Sequence, residues 1–218
     1  TARQILQRGS QRVNEELKDQ PLVQARLMDT MGRVYNSLGL YDQATPWLRQ
    51  AVDRRRDEYG ERHPEVAESL GNLGRIQGFS ADYQEAEANY RNALMMQRDL
   101  LEPDDPQLAD TLAGLAYVLH QQGNYDGAVE LLDEALEIRR GAFGETSVEV
   151  AQTIERLGLN YFELGDYEKA ESQLRRSVEI RKQVLGSEPH PDVANGLNNL
   201  ALVVYYQENY QEAEALYR

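Results

Sequence analysis

From Val148 the chain reads VEVAQTIERLGLNYFELG, and Ile154, Leu157, Gly158 and Tyr161 recur three or four places apart. That spacing lines one face of an α-helix. After the Gly-Asp-Tyr break at 165–167 a second apolar face begins, with Ala170, Leu174, Ser177 and Val178, and it runs on to Leu185. The pair of patterns repeats along the chain. Tyr41, Tyr83, Tyr125 and Tyr167 stand 42 residues apart, and Tyr210 follows after 43. Three residues after each tyrosine is an alanine: Ala44, Ala86, Ala128, Ala170, Ala213. Nine residues before each is a small residue: Gly32, Gly74, Ala116, Gly158, Ala201. The one register break is an extra residue between Gly186 and Pro191. No stretch sustains period-two alternation, so no strands are expected.

Each unit therefore predicts two antiparallel helices that approach closely at the small positions and are joined by a Gly-Asn/Asp-Tyr turn. The loops that precede the first helices fit this reading. Asp105 and Ser147 stand where an N-cap belongs, and Pro64, Pro106 and Pro191 stand at the first helical position. The first unit has Pro21-Leu22 there and lacks the cap. One such hairpin cannot bury its apolar face alone, whereas stacked copies build a continuous core. The expected fold is all-α, a right-handed superhelical solenoid of antiparallel helix pairs with eleven helices. Its units are the second helix of a partial unit (1–20), units at 21–62, 63–104, 105–146 and 147–189, and a truncated fifth at 190–218. The last helix would run on for about ten residues past Arg218 if it matched the others, so the sequence reads as part of a longer array.

Composition narrows the function classes. The 218 residues are 41% hydrophobic and 28% charged, as in a folded chain. The net charge of −14 opposes nucleic-acid backbones and anionic membranes. There is no cysteine, which removes disulfides and thiolate metal sites. No apolar run approaches the ~20 residues of a membrane span, and a cytoplasmic setting is expected.

The small residues at Gly32, Gly74, Ala116, Gly158 and Ala201, with the alanines at 44, 86, 128, 170 and 213, resemble the signature of tetratricopeptide repeats. The 42-residue period exceeds the usual ~34. With ALEIRR at Ala135–Arg140, HPDVA, and LNNLA at Leu197–Ala201, it resembles the kinesin-light-chain type, which has longer helices. The segment Asp19–Ala44 is similar to the repeat tails of bacterial multidomain regulators, including some serine/threonine kinases. Sel1-like and pentatricopeptide arrays are the competing families. The former differs in pattern, and the latter is typically basic, unlike this chain.

Candidate chemistry is sparse. None of His63, His120 and His190 has a carboxylate at metal-ligand spacing, and His63 and His190 sit at the cap position. No phosphate loop or nucleophile elbow is found; Gly141–Ser147 is glycine-containing but lies on a helix-to-helix turn. The basic residues Arg54–Arg56, Arg98, Arg139-Arg140 and Arg181-Lys182 each lie late in a second helix, where positive charge complements the macrodipole by ~0.3–1 kcal/mol. They are read as structural. The repeated tyrosines are also packing residues. No catalytic residue, metal or cofactor is expected.

Function should lie in what does not repeat. Counting each first helix from its leading alanine, the core falls three, six, seven and ten residues on. Positions one, four, eight and eleven form another face, which the resemblance places in the concave groove. It reads Arg26, Asp29, Arg33, Asn36; Glu68, Gly71, Arg75, Gly78; Asp110, Ala113, Tyr117, His120; Gln152, Glu155, Leu159, Phe162; Asn195, Asn198, Leu202, Tyr205. The N-terminal half is polar with three arginines, and the C-terminal half carries aromatic and aliphatic groups. This suits a peptide with acidic and apolar groups, and Asn72, Asn198 and Asn199 could bond its backbone. The lysine clamp of chaperone-binding tetratricopeptide domains is absent. The expected function is a non-catalytic interaction scaffold for a peptide or partner protein. The alternative is a regulatory or oligomerisation module of a larger enzyme, such as a bacterial kinase, engaging its own chain. Apolar surface around Ala201, Val204, Ala213 and Tyr217 would favour self-association.

Overall fold

The computed structural model of the protein describes residues 17, 19–186 and 189–218. Ten α-helices lie among them: α1 Pro21–Ser37, α2 Tyr41–Tyr59, α3 Pro64–Phe79, α4 Tyr83–Leu100, α5 Pro106–Gln121, α6 Tyr125–Phe143, α7 Val148–Glu163, α8 Tyr167–Leu185, α9 Pro191–Tyr206 and α10 Tyr210–Tyr217. The described residues contain no strand. Ten of the eleven expected helices are thus found, and the opening one, over 1–20, falls almost wholly outside the described residues. The chain divides into two compact units, Thr1–Glu102 with α1–α4 and Pro103–Arg218 with α5–α10.

The helix starts follow the local chemistry. Asp105 accepts from the Gln107 N–H at 2.8 Å and Ser147 Oγ from the Val150 N–H at 3.2 Å. His63 and His190 occupy the same place in their repeats. Each accepts a backbone N–H at Nδ1, from Glu65 and Asp192, both at 3.2 Å. At α6, α8 and α10 the caps are Asn124, Asp166 and Asn209. Pro21 opens α1 with no side-chain cap from Gln20, as the sequence suggests.

Each first helix ends in one residue of left-handed backbone. It is Gly39, Gly123 or Gly165 in three repeats, but Ala81 (φ 62°) and Glu208 (φ 66°) in the other two. The following N–H then returns to a carbonyl five residues back, from Leu40 to Tyr35 at 2.9 Å and from Asp82 to Gln77 at 2.8 Å. This satisfies orphan carbonyls and reverses the chain into the second helix.

Within the first unit α1 packs on α2, α2 on α3 and α3 on α4. Leu48, Val66, Leu70 and Ile76 fill its core. Within the second unit the helices from α5 to α10 pack in the same consecutive way, around Leu174, Leu200, Val203 and Val204 at the C-terminal end. Burying each such side chain is worth ~1.5–3 kcal/mol. The small positions set the approach of paired helices. A Cβ on Gly158 would stand 2.8 Å from Leu174 Cγ and 3.2 Å from the Ala170 carbonyl oxygen. Ala201, Val204 and Ala213 are buried. Of the residues expected to form an apolar surface at the C-terminal end only Tyr217 is exposed, and Leu202, Tyr205, Tyr206 and Tyr210 are exposed with it.

Candidate functional site

The chain's most regular polar feature lies beneath its surface. Arg55, Arg139 and Arg181, spaced by the repeat, are only 4%, 8% and 5% exposed. Arg55 donates through Nη1 to Asp29 on α1 and to Ser69 Oγ on α3, and its Nε lies 3.3 Å from Glu65. Arg139 reaches Asp110 on α5 and Thr153 Oγ1 on α7, both at 2.7 Å. Arg181 pairs with Glu155 on α7 and donates to the Asp192 carbonyl on α9 at 2.9 Å. Each guanidinium therefore fastens the first helix of its own repeat to the first helix of the next. A planar fork with five donors can serve several acceptors at once in a fixed geometry that a lysine ammonium lacks. In the second repeat the equivalent residue is Gln97, and Gly71 stands where Asp29 and Glu155 do.

These contacts revise the sequence reading twice. Of the second-helix basic residues, Arg55, Arg139 and Arg181 are structural, as expected, and they act as buried inter-helix clamps. Asp29, placed on the exposed variable face, is buried against Arg55, and Gly78 and Ala113 are buried too. Burial pushes the Asp29 carboxyl above its ordinary range, and Arg55 draws it only part of the way back.

The rest of the variable face in the first unit is open. The Arg26 side chain is 68% exposed, 3.9 Å from Glu65. Arg33 on α1 and Arg75 on α3 hold equivalent positions one repeat apart, and both are exposed. Their hydrogen bonds go to neutral neighbours on the same helices, Thr30 Oγ1 at 3.5 Å and Asn72 Oδ1 at 3.2 Å. Asn36 and Asn72 are half-buried.

In the second unit the corresponding face is aromatic. Phe162, half-buried, meets Tyr206 edge-on at 5.1 Å and Tyr167 at 5.7 Å between ring centroids. Tyr205 is 53% exposed and lies edge-on to Tyr210 at 5.2 Å. Edge-to-face pairs at these separations favour ordered rings. Tyr206 belongs to this cluster although sequence reasoning passed over it; its place beside Tyr205 was the available signal. Tyr117 and His120 are half-buried. The His120 Nδ1 lies 3.0 Å from Asn160 Oδ1 on α7, so this ring ties two repeats together. Asn199 donates to Glu155 at 3.0 Å, joining the Arg181 clamp, while Asn198 is exposed. Among the described residues no group of three or more His, Cys, Asp or Glu could hold a metal ion, and no helix is long and apolar enough to cross a membrane.

Helix hairpins repeated at fixed period and variable on one face define a helical-repeat protein. The family model described as tetratricopeptide repeat matches residues 23–99, 77–141, 107–183 and 149–218, and the chain belongs to that family. Such repeats mediate protein–protein interaction. No curated protein matches the sequence. Among solved structures, BtubC (BKLC) from P. vanneervenii is 21% identical, with a TM-score of 0.82 over 97% of this chain and 85% of that one. A Podosopora anserina protein with nearly identical TPR-like repeats, assigned as a kinesin light chain, is 24% identical. Its TM-score is 0.77, over 88% of this chain and 90% of its own. The apo form of RapI is 20% identical, with a TM-score of 0.74 over 88% of this chain and 67% of that one. At these identities the likeness is one of fold, and it is to kinesin-light-chain-like arrays.

Proposed function

We propose that the chain is a non-catalytic scaffold that receives a peptide segment or a partner protein on the variable face of its first helices, in a cytoplasmic setting. Acidic groups of the partner meet Arg26, Arg33 and Arg75, with Asn36 and Asn72 beside them. Apolar groups meet Phe162 and Tyr205, with Tyr117, His120, Asn198 and Asn199 on the same face of the second unit. The observation that carries this reading is the state of Arg33 and Arg75. In a chain of net charge −14 they stay exposed at equivalent positions, hydrogen-bonded to neutral groups, while three other arginines are buried against carboxylates. Guanidinium groups left open in this way are suited to carboxylates. The repulsive field of the whole chain reaches them weakly, because salt screens charge beyond ~8 Å.

The test is capture with the full chain followed by binding measurements on the partner recovered, for the wild type, Arg33→Glu and Phe162→Ala. Loss of binding in these variants, with unchanged helical content, is the expected result. A partner indifferent to both substitutions would place the functional surface on the second helices or the loops.

A further inference from the structure

Two of the five first helices begin on an imidazole acceptor. At α3 and α9 the cap is His63 or His190, each accepting a backbone N–H at Nδ1 at 3.2 Å. At α5 and α7 the same repeat position holds Asp105 and Ser147. A backbone N–H can only donate. Both imidazoles must therefore be neutral, with their proton on Nε2.

We infer that His63 and His190 are proton-switched caps: protonation of the imidazole releases the first turns of α3 and α9 and leaves those of α5 and α7 closed. Protonation puts a hydrogen on Nδ1, so two N–H groups then face each other and the bond is lost. The positive end of the helix adds repulsion against the imidazolium. The sign follows directly: the cap is present while the imidazole is neutral and is lost when acid protonates it.

The surrounding charges were weighed for each ring. His63 stacks on Tyr59 of α2, with centroids 3.9 Å apart. The nearby Glu65 carboxylate would attract an imidazolium, but it is already held by Arg55 at 3.3 Å, with Arg26 at 3.9 Å and the Tyr59 hydroxyl at 3.4 Å. Next in the chain, Arg62 pairs with Asp99 of α4. At His190 the Asp192 carboxylate lies 3.8 Å from Nδ1, and Arg181 of α8 binds the Asp192 carbonyl. An imidazolium–Asp192 side-chain pair partly offsets the loss there, and it still leaves the Asp192 N–H without its acceptor. His63 is thus the stronger switch. The released turn carries Glu65, an acceptor of the Arg55 clamp, so the effect reaches the contact between α2 and α3.

Amide exchange measured by NMR on the full chain between pH 7.5 and 5 tests this. After correction for intrinsic rates, protection of the Glu65 and Asp192 amides should fall about five-fold, the size of a lost cap, relative to Gln107 and Val150. His63→Asp and His190→Asp, which supply the cap that the third repeat already uses, should each abolish the fall at their own helix. Equal pH behaviour at all four amides overturns the inference. So does a fall at Glu65 or Asp192 that survives the aspartate substitution.

Discussion

Arg181 grips both carboxylate oxygens of Glu155, Nη1 to Oε1 at 3.0 Å and Nη2 to Oε2 at 2.5 Å. The pair is nearly dry, with the arginine side chain 6% and the glutamate side chain 15% exposed. Burying two charges offsets much of their attraction, so such a pair adds little net stability, yet removing one partner strands the other. Glu155→Ala should cost about 3–5 kcal/mol in chemical denaturation. Arg181→Met combined with Glu155→Leu should recover most of that loss. Additive single effects would show that the two do not act as a unit.

Asp29 should make the protein respond to acid in an unusual direction at one site. Its carboxyl is raised by burial, with Arg55 opposing. A carboxyl whose folded pKa lies above the unfolded value takes up a proton on folding. Its contribution to stability therefore grows as pH falls through the folded pKa, and it is lost as pH rises again. The stability of the wild type relative to Asp29→Asn should increase between pH 7 and pH 4, by denaturation at each pH. A decrease would mean that the Arg55 pair outweighs burial.

The left-handed turn residues offer a gain in stability. Ala81 and Glu208 hold φ values of 62° and 66° where other repeats have glycine. A side chain in this region costs roughly 1–2 kcal/mol. Ala81→Gly and Glu208→Gly should each raise stability by up to about 1 kcal/mol, since glycine's extra unfolded-state freedom returns part of the strain. Gly123→Ala should lower it by a similar amount. Thermal melts of the three variants suffice to check this.

Close helix approach makes an opposite pair. Gly158→Ala puts a methyl 2.8 Å from Leu174 Cγ and should destabilise the fold by about 1–3 kcal/mol. Gly141→Ala, on α6, meets nothing within 4 Å and should stabilise by up to about 1 kcal/mol. Equal melting temperatures for the two variants would argue against tight contact at Gly158.

On the variable face, charge and apolar anchors should separate kinetically. Arg33→Glu should mainly slow association of a partner and weaken its salt dependence, and Phe162→Ala should mainly speed dissociation. Surface-binding kinetics at two salt concentrations would resolve the two arms.

Much of the fold was legible because it is periodic. The tyrosines at 42-residue spacing, the alanines three residues on and the prolines at helix starts each report a local constraint that recurs wherever the hairpin recurs. The left-handed residue was legible at Gly39, Gly123 and Gly165 and hidden at Ala81 and Glu208, where tertiary packing imposes a backbone that the residue disfavours. The buried arginines were visible as a repeat but not as a clamp. A helix pattern shows that Arg181 lies near a C-terminus, whereas its partner Glu155 is 26 residues away on another helix. The matching clue is internal. An acid stands four residues after the leading alanine where Arg55 and Arg181 follow, Gly71 stands there where Gln97 does, and for Arg139 the acid is Asp110, one residue after its leading alanine. The same spacing misplaced Asp29, since an exposed position such as Arg33 and a clamp position share one face of α1. That Arg33 and Arg75 are exposed was readable from their place on α1 and α3.

The glutamine at position 97 also bears on how the chain could be divided. Arg55 and its acceptors Asp29, Glu65 and Ser69 all fall before Glu102, while Arg139 and Arg181 find theirs after Pro103. Severing the chain there leaves Arg55, Arg139 and Arg181 each with its carboxylate. A break one repeat earlier would part Arg55 from Ser69, and one repeat later it would part Arg139 from Thr153. The junction at 102–103 is therefore where one block of repeats could be exchanged for another without costing Arg55, Arg139 or Arg181 any of these partners.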